Sequence, residues 1–135
     1  MRMFIAIDIG EREEIVDMEK KLEKIEGKIK LVEPWNVHLT LKFLGETKEE
    51  IIPEIKKVME KSVEDISPFS CNLTFTPHIT IARVKNVKEK KEMKSFLQEY
   101  ANASFGVLNV NSIVLKKSEL RKEGPIYETI EEVKL

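Results

Sequence analysis

The chain has little with which to cross-link itself, enter a membrane or hold a polyanion by bulk charge. Its single cysteine, Cys71, excludes an internal disulfide and a thiolate metal cluster within one chain; a small buried hydrophobe is its expected role. Lys and Arg number 23 against 24 Asp and Glu, a net charge of -1. Any anion-binding surface must therefore be local. No apolar run reaches the roughly 18 residues of a membrane span, and the opening Met1 to Asp8 meets charged residues too early for a signal peptide. A soluble, cytoplasmic protein with no membrane partner is expected. What the chain does have is 135 residues, 41% of them hydrophobic, which suits one domain with a real core.

Phe4 to Ile9 forms a short apolar run, the pattern of a strand inside a sheet. Ile15, Met18, Leu22 and Ile25 recur at helical spacing up to Gly27, which is expected to close that helix. Ile29 to Val32 reads as a short edge segment. Val37 to Leu44 reads as a strand, with Leu39, Leu41 and Phe43 on one face and His38, Thr40 and Lys42 on the other. Thr47 and Glu50 have capping-box spacing before a stripe of Ile51, Ile55, Val58 and Met59, although Pro53 moves the true first turn toward itself.

Phe69 to Phe75 alternates as a half-buried strand, and His78 to Val84 follows almost at once. Asn86 and Glu89 are expected to cap a third helix with Met93, Phe96, Leu97 and Tyr100 as its stripe. Phe105 to Leu115 and Tyr127 to Leu135 read as closing strands joined by a polar loop from Lys116 to Pro125. The class is α+β, with roughly seven strands and three helices.

Both histidines sit in one repeated pattern, Val37-His38-Leu39-Thr40-Leu41 and Pro77-His78-Ile79-Thr80-Ile81. Side chains two apart on a strand share a face, so each imidazole stands beside its own threonine hydroxyl. A lone His-x-Thr would read as a hydrogen-bonded structural histidine; the second copy argues for chemistry. Zinc would need a third ligand from scattered carboxylates with no spacing signature, so no metal is expected.

Two imidazoles suit in-line displacement at phosphorus. One neutral ring takes a proton from the entering oxygen and one imidazolium protonates the leaving oxygen, and ordinary histidines supply both forms near neutrality. The threonine hydroxyls can hold nonbridging oxygens without adding charge.

These motifs, together with Arg2 to Asp8, the stretches His38 to Gly45 and Thr76 to Val84, and Ser118 through Gly124-Pro125-x-Tyr127, resemble the 2H phosphoesterase superfamily. The likeness is specifically to its branch of 2′-5′ RNA ligase-like proteins, or RNA 2′,3′-cyclic phosphodiesterases. The resemblance implies a bilobal 2H phosphoesterase-like fold in which two related antiparallel-sheet and helix halves flank a cleft, forming a single domain over 1–135 rather than two independent ones. It implies opening of 2′,3′-cyclic phosphate ends of RNA to 2′-phosphates without ATP, metal or another cofactor. His38, Thr40, His78 and Thr80 would be the catalytic set, and Phe43 and Arg83, each five residues after its histidine, would contact the nucleotide.

In a regular strand residue 83 faces away from residue 78, so Arg83 reaches the histidine's face only if the strand ends or bulges near Ala82. Lys42 shares the face of His38 and Thr40 without special geometry. Core packing is an equal reading for Phe43, and Tyr127 reads as structural. Lys85, Lys88, Lys90, Lys91 and Lys94, with Lys116, Lys117, Arg121 and Lys122, are either solvated faces or a funnel for RNA.

Between the strand ending at Phe75 and His78 stand two residues, where the first half spends 37 before its histidine. The second half thus lacks one strand and one helix of the family pattern, which would leave an exposed edge and favour a homodimer. Two alternatives stay open: 2′-5′ RNA ligation of RNA (tRNA) ends at the same site, and an RNA-binding protein whose contraction has abolished catalysis.

Overall fold

The structure is a computed structural model that describes residues 1–74, 79–122 and 124–135, with the backbone alone at Thr74. In chain order the elements are β1 (Arg2–Asp8), α1 (Glu13–Glu23), β2 (Gly27–Leu31), β3 (His38–Glu46), α2 (Ile52–Val63), β4 (Phe69–Thr74), β5 (Ala82–Val87), α3 (Lys90–Tyr100), β6 (Ser104–Val110), β7 (Ser112–Arg121) and β8 (Gly124–Lys134). Single turns of 3-10 helix lie at Pro34–Asn36 and Glu49–Ile51. The α+β class stands, with eight strands among the described residues. They form two compact units, Met1–Asp8 with Leu39–Ser70 and Asn109–Leu135, and Ile9–His38 with Cys71–Leu108.

The first unit is built on a sheet of order β3-β1-β7-β8, in which β1 and β8 both run antiparallel to β7. Alternation assigns its faces. Met3, Ile113, Leu115 and Val133 pack with Met59 and Val63 of α2; Met3 and Leu115 are wholly buried. Each such side chain stabilises the fold by about 1.5–3 kcal/mol through loss of apolar surface to water. Phe4, Ala6 and Val114 fill the opposite face, where Tyr127 packs edge-on to Phe4 with ring centroids 5.6 Å apart.

Pro53 is the second residue of α2, where a missing N–H costs nothing because the first turn has no intrahelical acceptors. The expected capping box is not formed. Thr47 instead donates its hydroxyl to the Gly45 carbonyl at 3.0 Å, and α2 has no side-chain cap. Of the expected stripe Met59 is buried, with Val63 one turn later, while Val58 points to solvent.

In the second unit Ile15, Met18 and Leu22 form the buried stripe of α1, as the spacing implies. The helix ends before Gly27, however. Gly27 opens β2 with φ +150°, and a Cβ there would lie 2.3 Å from the Asn86 carbonyl oxygen of β5, so close backbone approach rather than helix closure demands glycine. β2 and β5 pair antiparallel with a bulge after Lys28. Asn86 therefore belongs to a strand and does not cap α3, which starts after Glu89 without a side-chain cap. Arg12, just before α1, donates from Nη1 and Nη2 to the Phe105 and Val107 carbonyls of β6 at 2.8 and 2.6 Å.

Three other expectations are corrected. Phe105 to Leu115 is not one strand; it breaks at Asn111, with β6 pairing β4 and β7 pairing β1 and β8. Lys116 to Pro125 is not a loop, because its polar residues extend a hairpin that pairs as far as Arg121 with Gly124; polar alternation there marks a solvated ribbon. Cys71 is exposed. The pair β4-β6 has no third strand among the described residues, and its apolar alternation is buried at Leu73 but left 47% exposed at Phe69.

Candidate active site

His38 opens β3 directly after a rigid approach. Pro34 starts a 3-10 turn in which the Asn36 amide donates to the Glu33 carbonyl at 2.8 Å and the Asn36 side-chain amide donates to the Glu33 carboxylate at 3.1 Å. The buried Val37 accepts at its carbonyl from the amides of Ile9 and Gly10, each at 3.1 Å. Between these anchors the half-buried His38 ring places Nδ1 2.7 Å from the Asn36 carbonyl oxygen. A carbonyl only accepts, so Nδ1 carries the hydrogen, and in the neutral ring Nε2 is the nitrogen without one.

Thr40 and Lys42 follow on β3, both exposed. Phe43 is not core: it is 55% exposed, and the Arg2 guanidinium lies over its ring at 5.6 Å, whereas the next residue, Leu44, packs on the α2 side of the sheet. His78 lies outside the described residues. Thr80 is exposed and precedes β5, which begins at Ala82. The neighbouring Ile81 accepts at its carbonyl from the Val32 amide at 2.8 Å. The regular strand that carries Arg83 starts at Ala82, one residue before it. Arg83 itself is exposed and pairs across to Lys30 of β2.

Most of the late cations are neutralised where they stand. Lys117 pairs with Glu128 at 3.2 Å and Arg121 with Glu119 at 3.3 Å. Lys116, 8% exposed, donates to Asp8 at 2.9 Å and to the Thr129 hydroxyl at 3.2 Å. In the earlier cluster Lys88 pairs with Glu26 at 3.2 Å. Paired faces describe Lys88, Lys116, Lys117 and Arg121, whereas no ion pair among the described residues involves Lys85, Lys90, Lys91, Lys94 or Lys122.

Reading the sequence alone missed Arg2, although its place two before Phe4 and four before Ala6 already sets it on their face of β1. It also missed Glu19, which occupies the α1 stripe four residues after Ile15. Burial pushes that carboxyl up to about 7, and its Oε1 has no hydrogen-bond partner among the described residues. Among the described residues no three His, Cys, Asp or Glu side chains converge as a metal site, and no helix is long and apolar enough to cross a membrane.

The family model for LigT like phosphoesterases matches this chain twice, over residues 7–74 and 68–127. A protein of Methanocaldococcus jannaschii named RNA 2′,3′-cyclic phosphodiesterase is 34% identical over 98% of this chain and 99% of its own length. The chain belongs to the LigT-like phosphoesterase family. A second LigT-like relative of the same name, from Methanothermobacter thermautotrophicus, is 24% identical over 100% of this chain and 99% of its own. The fold matches the crystal structure of TT0787 of Thermus thermophilus at TM-score 0.73 and 23% identity, covering 100% and 98% of the two chains.

The double family match agrees with the repeated His-x-Thr pattern and with a 2H phosphoesterase fold. The alignment to the M. jannaschii protein spans 175 positions against 135 residues here, so that LigT-like relative carries residues with no counterpart in this chain.

Proposed function

We propose that this LigT-like phosphoesterase opens 2′,3′-cyclic phosphate ends of RNA to 2′-phosphates. The supporting observation is the held His38 ring, at the head of a His-x-Thr strand, in a chain 34% identical over nearly its full length to an RNA 2′,3′-cyclic phosphodiesterase. Water attacks phosphorus in line with the P–O3′ bond. A new P–O bond forms, the P–O3′ bond breaks, the proton of water passes to one histidine, and the other histidine protonates O3′. His38 through Nε2 and His78 fill these two roles, while Thr40 and Thr80 donate to the nonbridging oxygens. Arg83, Lys42 and Phe43 contact the nucleotide.

The reaction needs no cofactor or metal ion and takes place in the cytoplasm. The same groups acting in the same direction would join ends through a 2′-5′ bond when a 5′-hydroxyl replaces water as the nucleophile. The exposed Phe69 and Val107 of β4 and β6 make self-association of this shortened member a further expectation.

The test is the identity of the product. An oligoribonucleotide ending in a 2′,3′-cyclic phosphate, incubated with the protein, yields a 2′-phosphate end with a free 3′-hydroxyl. Formation of a 3′-phosphate end, or no opening at any pH, would overturn the reading.

A further inference from the structure

On the face of the first unit's sheet opposite α2, the register brings Arg2 of β1, Ser118 of β7 and Tyr127 of β8 directly opposite one another. Neighbouring strands lie about 5 Å apart, so the row crosses about 10 Å of sheet. At its β3 end the Arg2 guanidinium lies over the exposed Phe43 ring at 5.6 Å. At its other end the half-buried Tyr127 ring is held edge-on by Phe4. Behind it runs a second row, Phe4, Lys116 and Thr129, in which Lys116 is tied to Asp8 and Thr129.

The charges differ between the rows. Asp8 is held by Lys116, and Glu46 of β3 is held by the Met1 amine at 3.2 Å. No ion pair among the described residues involves Arg2. Its guanidinium is thus a cation lying over an aromatic ring at 5.6 Å, with N–H donors available to an anion. An exposed ring, a stacked guanidinium and a hydroxyl in one row match the chemistry of a single RNA strand, which offers a base face, a phosphodiester and ribose hydroxyls at similar spacing.

We propose that this row is a platform for a stretch of single-stranded RNA. A base stacks on the Phe43 and Arg2 side, Arg2 pairs with a phosphodiester oxygen, and Ser118 and Tyr127 border the ribose. The substrate class is then an oligoribonucleotide rather than a lone cyclic mononucleotide. This rests on the phosphodiesterase reading for its role in turnover, but not for binding.

Two measurements separate the ideas. The first is fluorescence anisotropy with a labelled single-stranded RNA ending in an ordinary 3′-hydroxyl, which cannot react. Arg2→Ala and Phe43→Ala should each weaken binding about tenfold, and Arg2→Ala should shrink the dependence of log affinity on log salt by about one counterion. Arg2→Lys should recover the salt slope but not the affinity, because an ammonium does not stack as a plane. Circular dichroism and melting temperature check that these surface variants remain folded.

The second is the ratio of kcat/KM on a cyclic-phosphate oligonucleotide to that on a cyclic mononucleotide, which should fall about tenfold in Arg2→Ala. Unchanged RNA binding in both alanine variants would overturn the platform, as would full recovery of affinity by lysine. If the wild type binds RNA through Arg2 yet opens no cyclic phosphate, the platform stands and the catalytic reading fails.

Discussion

His38 Nδ1 lies 2.7 Å from the backbone oxygen of Asn36, two residues earlier in the chain. This contact sets the tautomer and the aim of the ring before any substrate arrives, because the carbonyl sits in a 3-10 turn fixed by Pro34 and Glu33. Under the proposed function, holding the ring and moving a proton would be duties of different nitrogens.

His38→Asn tests that division. The asparagine amide can still donate to the Asn36 oxygen but offers nothing in place of Nε2. Turnover should fall by about 10²- to 10⁴-fold, as in His38→Ala, while the melting temperature of the asparagine variant stays near that of the parent. Activity in His38→Asn close to that of the parent would place the chemistry elsewhere.

Glu19 gives the fold a pH dependence of known sign. Its carboxyl is raised from an ordinary 4.5 to about 7 in the native state, so at pH values between these the folded chain keeps a proton that the unfolded chain has lost. Stability is unaffected by this group below about pH 4.5 and declines as pH rises through that window. Urea denaturation of Glu19→Gln should show a shallower decline than the parent between pH 5 and 7. An identical decline would dismiss Glu19 as its source.

Lys116 and Asp8 form an asymmetric pair, with side chains 10% and 49% exposed. Removing the carboxylate strands a buried ammonium beside Thr129; removing the lysine leaves a carboxylate that water can solvate, together with a hole in the sheet face. Asp8→Asn should cost about 1–2 kcal/mol and Lys116→Ala about 2–4 kcal/mol in chemical denaturation. Values within about 0.5 kcal/mol of the parent for both would mean that the pair contributes nothing.

Gly27 and Gly10 both have positive φ, but only Gly27 faces backbone, with Asn86 O 2.3 Å from the place of a Cβ; Gly10 has open space. Gly10→Ala should cost about 1 kcal/mol from conformation alone. Gly27→Ala should cost about 3 kcal/mol or more because β2 and β5 must part. Similar melting temperatures for the two variants would contradict the close approach.

Much of this was legible in the sequence because periodicity reports burial. The β1 run, the Ile15, Met18 and Leu22 stripe, and the strand from His38 were all readable from spacing. What spacing does not encode is partnership. Gly27 looked like a helix stop because its real constraint, the Asn86 carbonyl, is 59 residues away in the chain. Lys116 to Arg121 looked like a loop because a solvated hairpin is as polar as one.

The candidate site could be named from the sequence because a repeated His-x-Thr is local, and side chains two apart on a strand share a face wherever the strand lies. Arg2 escaped notice because its meaning depends on Phe43, which reaches it only through the pairing of β1 with β3.

The central claim is that two imidazoles move the protons of cyclic phosphate opening. Its most direct test is the rate of opening of a 2′,3′-cyclic phosphate RNA end at neutral pH with EDTA present, for the parent chain and for His38→Ala/His78→Ala. The parent should turn over at an EDTA-independent rate and the double variant should show no turnover above background. Turnover surviving in the double variant, or a parent silenced by EDTA, would contradict the account.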